Sequence, residues 1–188
     1  MAQETQGKIR LATIWLAGCS GCHMSFLDLD EFLIDLAQKV EVVFSPVGSD
    51  IKDYPENVDV CLVEGAVANE ENLALLRQVR ENTKLVIAFG DCAVTTNVTG
   101  IRNQKGDQNE ILQRGYGELT DEHQWPQQIP GGILPPLLPK VLPISAVVPI
   151  DIYLPGCPPS AERIKAAIAP LLEGKLPEMV GREMIKFG

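Results

Sequence analysis

Four of the five cysteines in this 188-residue chain come directly after apolar, strand-like runs, each with a glycine close by. They read Gly18-Cys19-Ser20-Gly21-Cys22, Gly90-Asp91-Cys92 and Pro155-Gly156-Cys157-Pro158. Four Cys with no His suits an iron–sulfur cluster or a structural zinc. The Cys19-x-x-Cys22 pair alone also serves redox dithiols, but a dithiol leaves Cys92 and Cys157 unexplained. Zinc sites usually join two such pairs, whereas here one pair accompanies two distant single cysteines. Cluster ligands must converge from separate loops. Glycines let the backbone approach closely and leave amides free to hydrogen-bond inorganic sulfide. Pro158-Pro159 fixes the turn after Cys157 and removes two N–H donors, and a Cys-Pro step is common after the last ligand of ferredoxin-type motifs. Cys61 is different: it falls in mid-strand, where a free thiol behaves as a small buried hydrophobe.

Other titratable residues carry weaker signals. Glu64 follows the third apolar run and shares the cysteines' edge, as a proton relay, a partner contact, or a loop or cap carboxylate. Asp91, beside Cys92, has the same ambiguity. His23, directly after Cys22, reads as a hydrogen-bonding side chain at a helix start. His123 carries no signal, and Asp50 and Asp53 read as solvated loop charges. Neither a Ser/His/Asp constellation nor a P-loop is present.

The positioning elements are legible as alternating strands and helices. Apolar runs predict strands over Ile9–Leu16, Glu41–Pro46, Val58–Val63, Lys84–Phe89 and Ile150–Leu154. Helical spacing of apolar residues predicts helices over Phe26–Val40, Asn69–Glu81 and Ser160–Leu172, with Ser160 as an N-cap. The alternation implies α/β architecture: a flavodoxin-like, doubly wound parallel sheet of about five strands. In such sheets ligands bind at the carboxyl ends of the strands, which is where the four cysteines fall. Residues 100–149 break the pattern. Gly100–Thr120 is polar and glycine-punctuated, and Trp125–Pro149 holds seven of the fourteen prolines. That excludes regular helix or central strand. The apolar pairs Ile133-Leu134 and Leu137-Leu138 argue against disorder. The stretch is expected to be an irregular, proline-rich, ordered excursion before the last strand, covering its own sheet or facing a partner.

Length and a 45% hydrophobic composition fit a single domain over residues 1–188 with a sizeable core. The net charge of −9 lacks the basic face that nucleic-acid binding needs. No signal peptide, twin-arginine pair or membrane-length apolar stretch is visible, so a cytoplasmic location is expected. There, cysteines serve as metal ligands or reduced thiols rather than disulfides.

The set Gly18-Cys19-Ser20-Gly21-Cys22-His23-Met24-Ser25, Glu64-Gly65-Ala66, Gly90-Asp91-Cys92-Ala93 and Leu154-Pro155-Gly156-Cys157-Pro158-Pro159 resembles the small, electron-transfer subunit of [NiFe] hydrogenases. It is most similar to the short form found in cytoplasmic, bidirectional NAD(P)-linked enzymes of the cyanobacterial type. The resemblance implies a flavodoxin-like fold and one [4Fe–4S] cluster on Cys19, Cys22, Cys92 and Cys157, proximal to a nickel–iron site in a separate large subunit. Glu64 matches a family acidic residue near the cluster and the subunit interface. Longer family members carry a cysteine- and histidine-rich C-terminal domain with two more clusters. Here no cysteine follows Cys157, so one cluster is expected. Electrons would leave to a diaphorase module with its own iron–sulfur clusters, a flavin and the NAD(P) site. The isolated chain is not expected to turn over hydrogen. Some short relatives are thought to hold FMN near the cluster, and a flavodoxin-like edge has room for it. Two alternatives stand beside this reading. The homologous subunit of respiratory complex I carries adjacent cysteines at the first motif, which the Cys19–Cys22 spacing opposes. A flavodoxin-like FMN module needs a Ser/Thr-rich phosphate loop after strand one, for which Ser20 and Ser25 are a poor substitute.

Overall fold

A computed structural model describes residues 7–118 and 131–187. Five strands build one parallel sheet: β1 (Ile9–Trp15), β2 (Val40–Phe44), β3 (Val58–Glu64), β5 (Thr83–Phe89) and β7 (Ile152–Leu154). Their spatial order is β2-β1-β3-β5-β7. Counted along the chain, that is the flavodoxin order 2-1-3-4-5, which reverses direction between β1 and β3. The strands read as nearly unbroken apolar runs because both faces are covered. On one face Ala12, Ile14, Cys61, Val63, Val86 and Ala88 pack with Leu76 and Val79 of α3 (Glu70–Asn82). On the other, Leu62, Ile87, Phe89 and Leu154 pack with Ile164, Ala167 and Ile168 of α6 (Ala161–Ile168).

Register decides where the connecting turns emerge. Trp15 pairs with Glu64, Glu64 with Phe89, and Phe89 with Leu154. These four residues form one row across the carboxyl edge of the sheet. Each cysteine-bearing turn starts within a few residues of that row.

The expected helix over Phe26–Val40 is two helices, α1 (Gly21–Leu27) and α2 (Phe32–Lys39). Asp28 closes the first. Asp30 then adopts a left-handed backbone, φ 48°, a conformation Asp tolerates better than most residues. The helix expected to reach Leu172 ends at Ile168, and a short 3-10 turn over Leu171–Glu173 follows Pro170. Ser160 occupies the N-cap position of α6, but its side chain makes no bond to the helix's backbone N–H groups.

Residues 100–149 hold more regular structure than their composition suggests. A 3-10 helix spans Asn97–Gln104, followed by α5 (Gln108–Leu112) and a π-helical turn over Gln113–Glu118. Beyond it, β6 (Leu137–Leu142) pairs antiparallel with β4 (Val67–Asn69) in a separate two-stranded sheet. The proline rule still holds, since β6 is outside the main sheet and accommodates Pro139. The 125–130 part of the proline-rich stretch lies outside the described residues. The remaining helices are α4 (Asp91–Thr95) and α7 (Arg182–Ile185). Among the described residues no helix is long and apolar enough to cross a membrane.

Just past the row, Ala17 and Ala66 exchange backbone hydrogen bonds at 2.8 and 3.0 Å. Gly65 permits this close approach. Its φ is +92°, and a Cβ there would come within 2.8 Å of the Leu16 carbonyl carbon and 2.9 Å of the Ala17 carbonyl. Gly65→Ala should cost about 2–4 kcal/mol from left-handed strain plus overpacking, read as a lower urea midpoint at unchanged m-value.

Candidate metal centre

Each cysteine takes its place from a strand end. After β1 the chain turns through Ser20, φ 62°, into α1, and the Gly21 N–H donates to Cys19 Sγ at 3.4 Å. Cys22 sits in the first turn of α1 and is buried. After β5, Gly90 leads into α4, with Asp91 and Cys92 in its first turn, both buried. After β7, Gly156 leads to Cys157, which, like Cys19, is exposed.

Backbone and side-chain bonds stitch these turns together. Gly90 N–H donates to the Leu154 carbonyl at 2.8 Å, and Asp91 N–H to the Gly156 carbonyl at 2.9 Å. Gly156 N–H returns a 2.5 Å bond to Asp91 Oδ1. The Cys92 and Cys157 turns are therefore one cross-linked unit. Ser25 on α1 donates to the Pro159 carbonyl at 2.6 Å, tying the Cys22 helix to the same unit across 134 residues. Glycine is required at position 90, because a Cβ there would collide with Cys22 Sγ.

The four thiols feel one another electrostatically. Burial raises the Cys22 thiol far above its ordinary range, and the charges of Glu64, Cys92, Cys19 and Cys157 push it further. Burial, then Cys157 and Cys19, raise Cys92 to about 11. The bare chain therefore keeps Cys22 and Cys92 protonated at neutral pH, and a cation that replaces their protons relieves both burial and repulsion. Among the described residues no three His, Cys, Asp or Glu side chains close onto a single ion. The thiols gather at one edge without converging on one point.

Glu64 is not a loop carboxylate. It is the last residue of β3, 1% exposed. Its Oε2 accepts the His23 backbone N–H at 3.2 Å and contacts the His23 ring at Nδ1. His23, in the first turn of α1, is 4% exposed, and its Nε2 is buried without a hydrogen-bond partner among the described residues. This pair places a carboxylate behind the Cys19–Cys22 turn.

Thus Cys19, Cys22, Cys92, Cys157, Glu64, His23 and Asp91 meet at one edge. Cys61 does not join them; it is fully buried mid-sheet, with its thiol raised to about 12 by burial. Asp50 and Asp53 are exposed in the loop after β2, and His123 lies outside the described residues. Sequence reasoning missed Ser25 as a tie and Asn97, whose Nδ2 lies 3.3 Å from Cys157 Sγ. Ser25 stands inside the first cysteine motif, but nothing local announces its partner at Pro159, and Asn97 sits in no apolar period.

An open α/β sheet that gathers four thiols and a buried carboxylate at the carboxyl edge of its strands defines a domain of the class that binds its ligand at that edge. The chain belongs to the family described as NADH ubiquinone oxidoreductase, 20 Kd subunit, whose sequence profile matches residues 19–171. It is 40% identical over 173 residues to a subunit of the F420-non-reducing hydrogenase vhu of Methanococcus voltae, covering 92% of this chain but 59% of that protein. The chain thus spans little more than half of that longer relative. It is 36% identical to the NAD-reducing hydrogenase HoxS subunit delta of Cupriavidus necator, covering 97% of this chain and 88% of that one. In three dimensions it matches a chain of an NAD+-reducing [NiFe]-hydrogenase crystallised in the H2-reduced state. That match has a TM-score of 0.89 at 39% identity, over 97% of this chain and 100% of the other.

In the metal-free, reduced chain near pH 8, iodoacetamide should label Cys19 and Cys157 first and Cys61 last, with Cys22 and Cys92 between. Peptide mass spectrometry over time checks the order. Early labelling of Cys61 would contradict the packing described for β3.

Proposed function

We propose that this chain is the electron-transfer small subunit of a [NiFe] hydrogenase. Its cysteines Cys19, Cys22, Cys92 and Cys157 would hold one [4Fe–4S] cluster. Electrons would pass between a nickel–iron site in a separate large subunit and an NAD(P)-linked diaphorase module of iron–sulfur and flavin subunits. In this reading residues 1–188 act as a single iron–sulfur domain in the cytoplasm. The observation that carries it is the gathering of four thiols from three strand ends, cross-linked through Asp91 and Gly156.

The residues present fit an iron–sulfur group. The donor set is all thiol, glycine at 90 leaves the space that Cys22 Sγ occupies, and an amide already reaches Cys19 Sγ. One C-x-x-C pair with two distant single cysteines departs from the two paired knuckles usual for structural zinc. When bound, the cluster would supply one-electron storage at low potential. The chain's own contribution is to hold the thiols at fixed spacing, exclude water from Cys22 and Cys92, and set the surrounding charge. Glu64 adds a buried negative charge that opposes reduction, and with His23 it offers a proton-holding or interface role. Around the site, Trp15, Met24 and Leu27 are each nearly half exposed. An apolar rim beside a redox centre suits a partner subunit, which would bring donor and acceptor close. The two sequence relatives and the structural match described above, each a hydrogenase protein by name, favour this reading over the complex I subunit for which the family is named.

Anaerobically purified chain should contain about four iron and four acid-labile sulfide per polypeptide, with an EPR signal on reduction. Stoichiometric zinc, or flavin without iron, would sink the proposal. Cys92→Ala should lose most of the iron and the signal. Cys61→Ala should keep both, at a cost of about 1 kcal/mol in stability; iron loss in Cys61→Ala would overturn the ligand assignment.

A further inference from the structure

After α4 the backbone does something costly. Thr96 and Asn97 both adopt left-handed conformations, with φ of 72° and 41°. The β-branched Thr96 is strained there by roughly 1 kcal/mol or more, whereas Asn97 is of a type that tolerates the region better. The Thr99 hydroxyl bonds the Thr96 carbonyl at 2.5 Å, and the Gly100 N–H reaches the same carbonyl at 3.3 Å. At Gly100 a Cβ would collide with the Thr96 hydroxyl. Several local contacts therefore hold a conformation that the chain alone would avoid.

What the strained turn accomplishes is a contact 60 residues away. The Asn97 Nδ2 group lies 3.3 Å from Cys157 Sγ, within hydrogen-bond reach of sulfur. A coordinated thiolate is an acceptor only, so the amide N–H face is the side that matches it. Hydrogen bonds to cluster sulfurs stabilise the more negatively charged, reduced state and raise its potential. Asn97 is also exposed, as Cys157 is; a purely structural amide has little reason to be held there by strain.

We infer that Asn97 is a positioning residue for the redox centre: its side-chain amide, aimed by the strained Thr96–Asn97 turn, donates to Cys157 Sγ and sets the potential of the cluster. This rests on the four-cysteine reading above.

The test is an EPR-monitored redox titration of the anaerobically purified chain, with iron and sulfide counted first. Asn97→Gly keeps the left-handed backbone available and removes the donor; Asn97→Asp keeps the shape and replaces the donor with an anion. Both should retain the iron and sulfide of the unsubstituted chain. Asn97→Gly should move the midpoint to more negative potential by up to a tenfold change in the one-electron equilibrium, about 59 mV. Asn97→Asp should move it further in the same direction. Full iron content with an unchanged midpoint in both variants would overturn the inference while leaving the cluster assignment standing. Absence of iron from the unsubstituted chain would instead refute the reading on which it rests. Loss of iron in Asn97→Gly alone, with Asn97→Asp loaded and unshifted, would also overturn it, making the turn structural only.

Discussion

Four thiols, two of them buried where ionisation is opposed, have to be held at one edge of the sheet, and the rest of the architecture serves that requirement. Left alone, Cys22 and Cys92 resist becoming thiolates because burial and neighbouring charge raise them. The energy to assemble them must come from elsewhere. It comes from a sheet buried on both faces and from the in-register row of Trp15, Glu64, Phe89 and Leu154. Once that row is set, each turn has only a few residues in which to deliver its sulfur. The Asp91–Gly156 exchange then locks two turns together, so neither Cys92 nor Cys157 can move without the other.

The buried His23–Glu64 pair sits in the gap between β1 and β3, where the strand order reverses. A carboxylate with 1% exposure is costly unless hydrogen-bonded. Glu64 meets that cost with a backbone N–H and an imidazole from the same residue, and so draws the start of α1 onto the end of β3. The first cysteine turn is thus held to the end of β3 by a polar contact.

The strands, the sheet order and the edge position of the four cysteines were legible because two-sided burial writes itself as unbroken apolar runs. The Gly-Cys spacings then follow directly from where those runs stop. What was not legible depends on contacts between distant segments. The break between α1 and α2 follows a local left-handed residue, Asp30, inside an otherwise continuous helical period. The β4–β6 pair needs Val67 to meet Leu142, which no period in either segment announces. The Ser25–Pro159 and Asn97–Cys157 links span 134 and 60 residues and use ordinary polar side chains. Glu64 could be placed at the right edge from sequence, but its burial could not, because its partner His23 lies 41 residues away.

Electrostatically the edge is a balance rather than a one-sided trap. A chain of net charge −9 that places Glu64 and Asp91 beside four thiols makes the arrival of another electron unfavourable. Opposing this are neutral donors aimed at sulfur, the Gly21 N–H on Cys19 and the Asn97 amide on Cys157. The donors reach the two exposed cysteines, whereas the Glu64 charge acts on the two buried ones. Charge added to such a centre would therefore be drawn toward the Cys19–Cys157 side, the side with access to a partner.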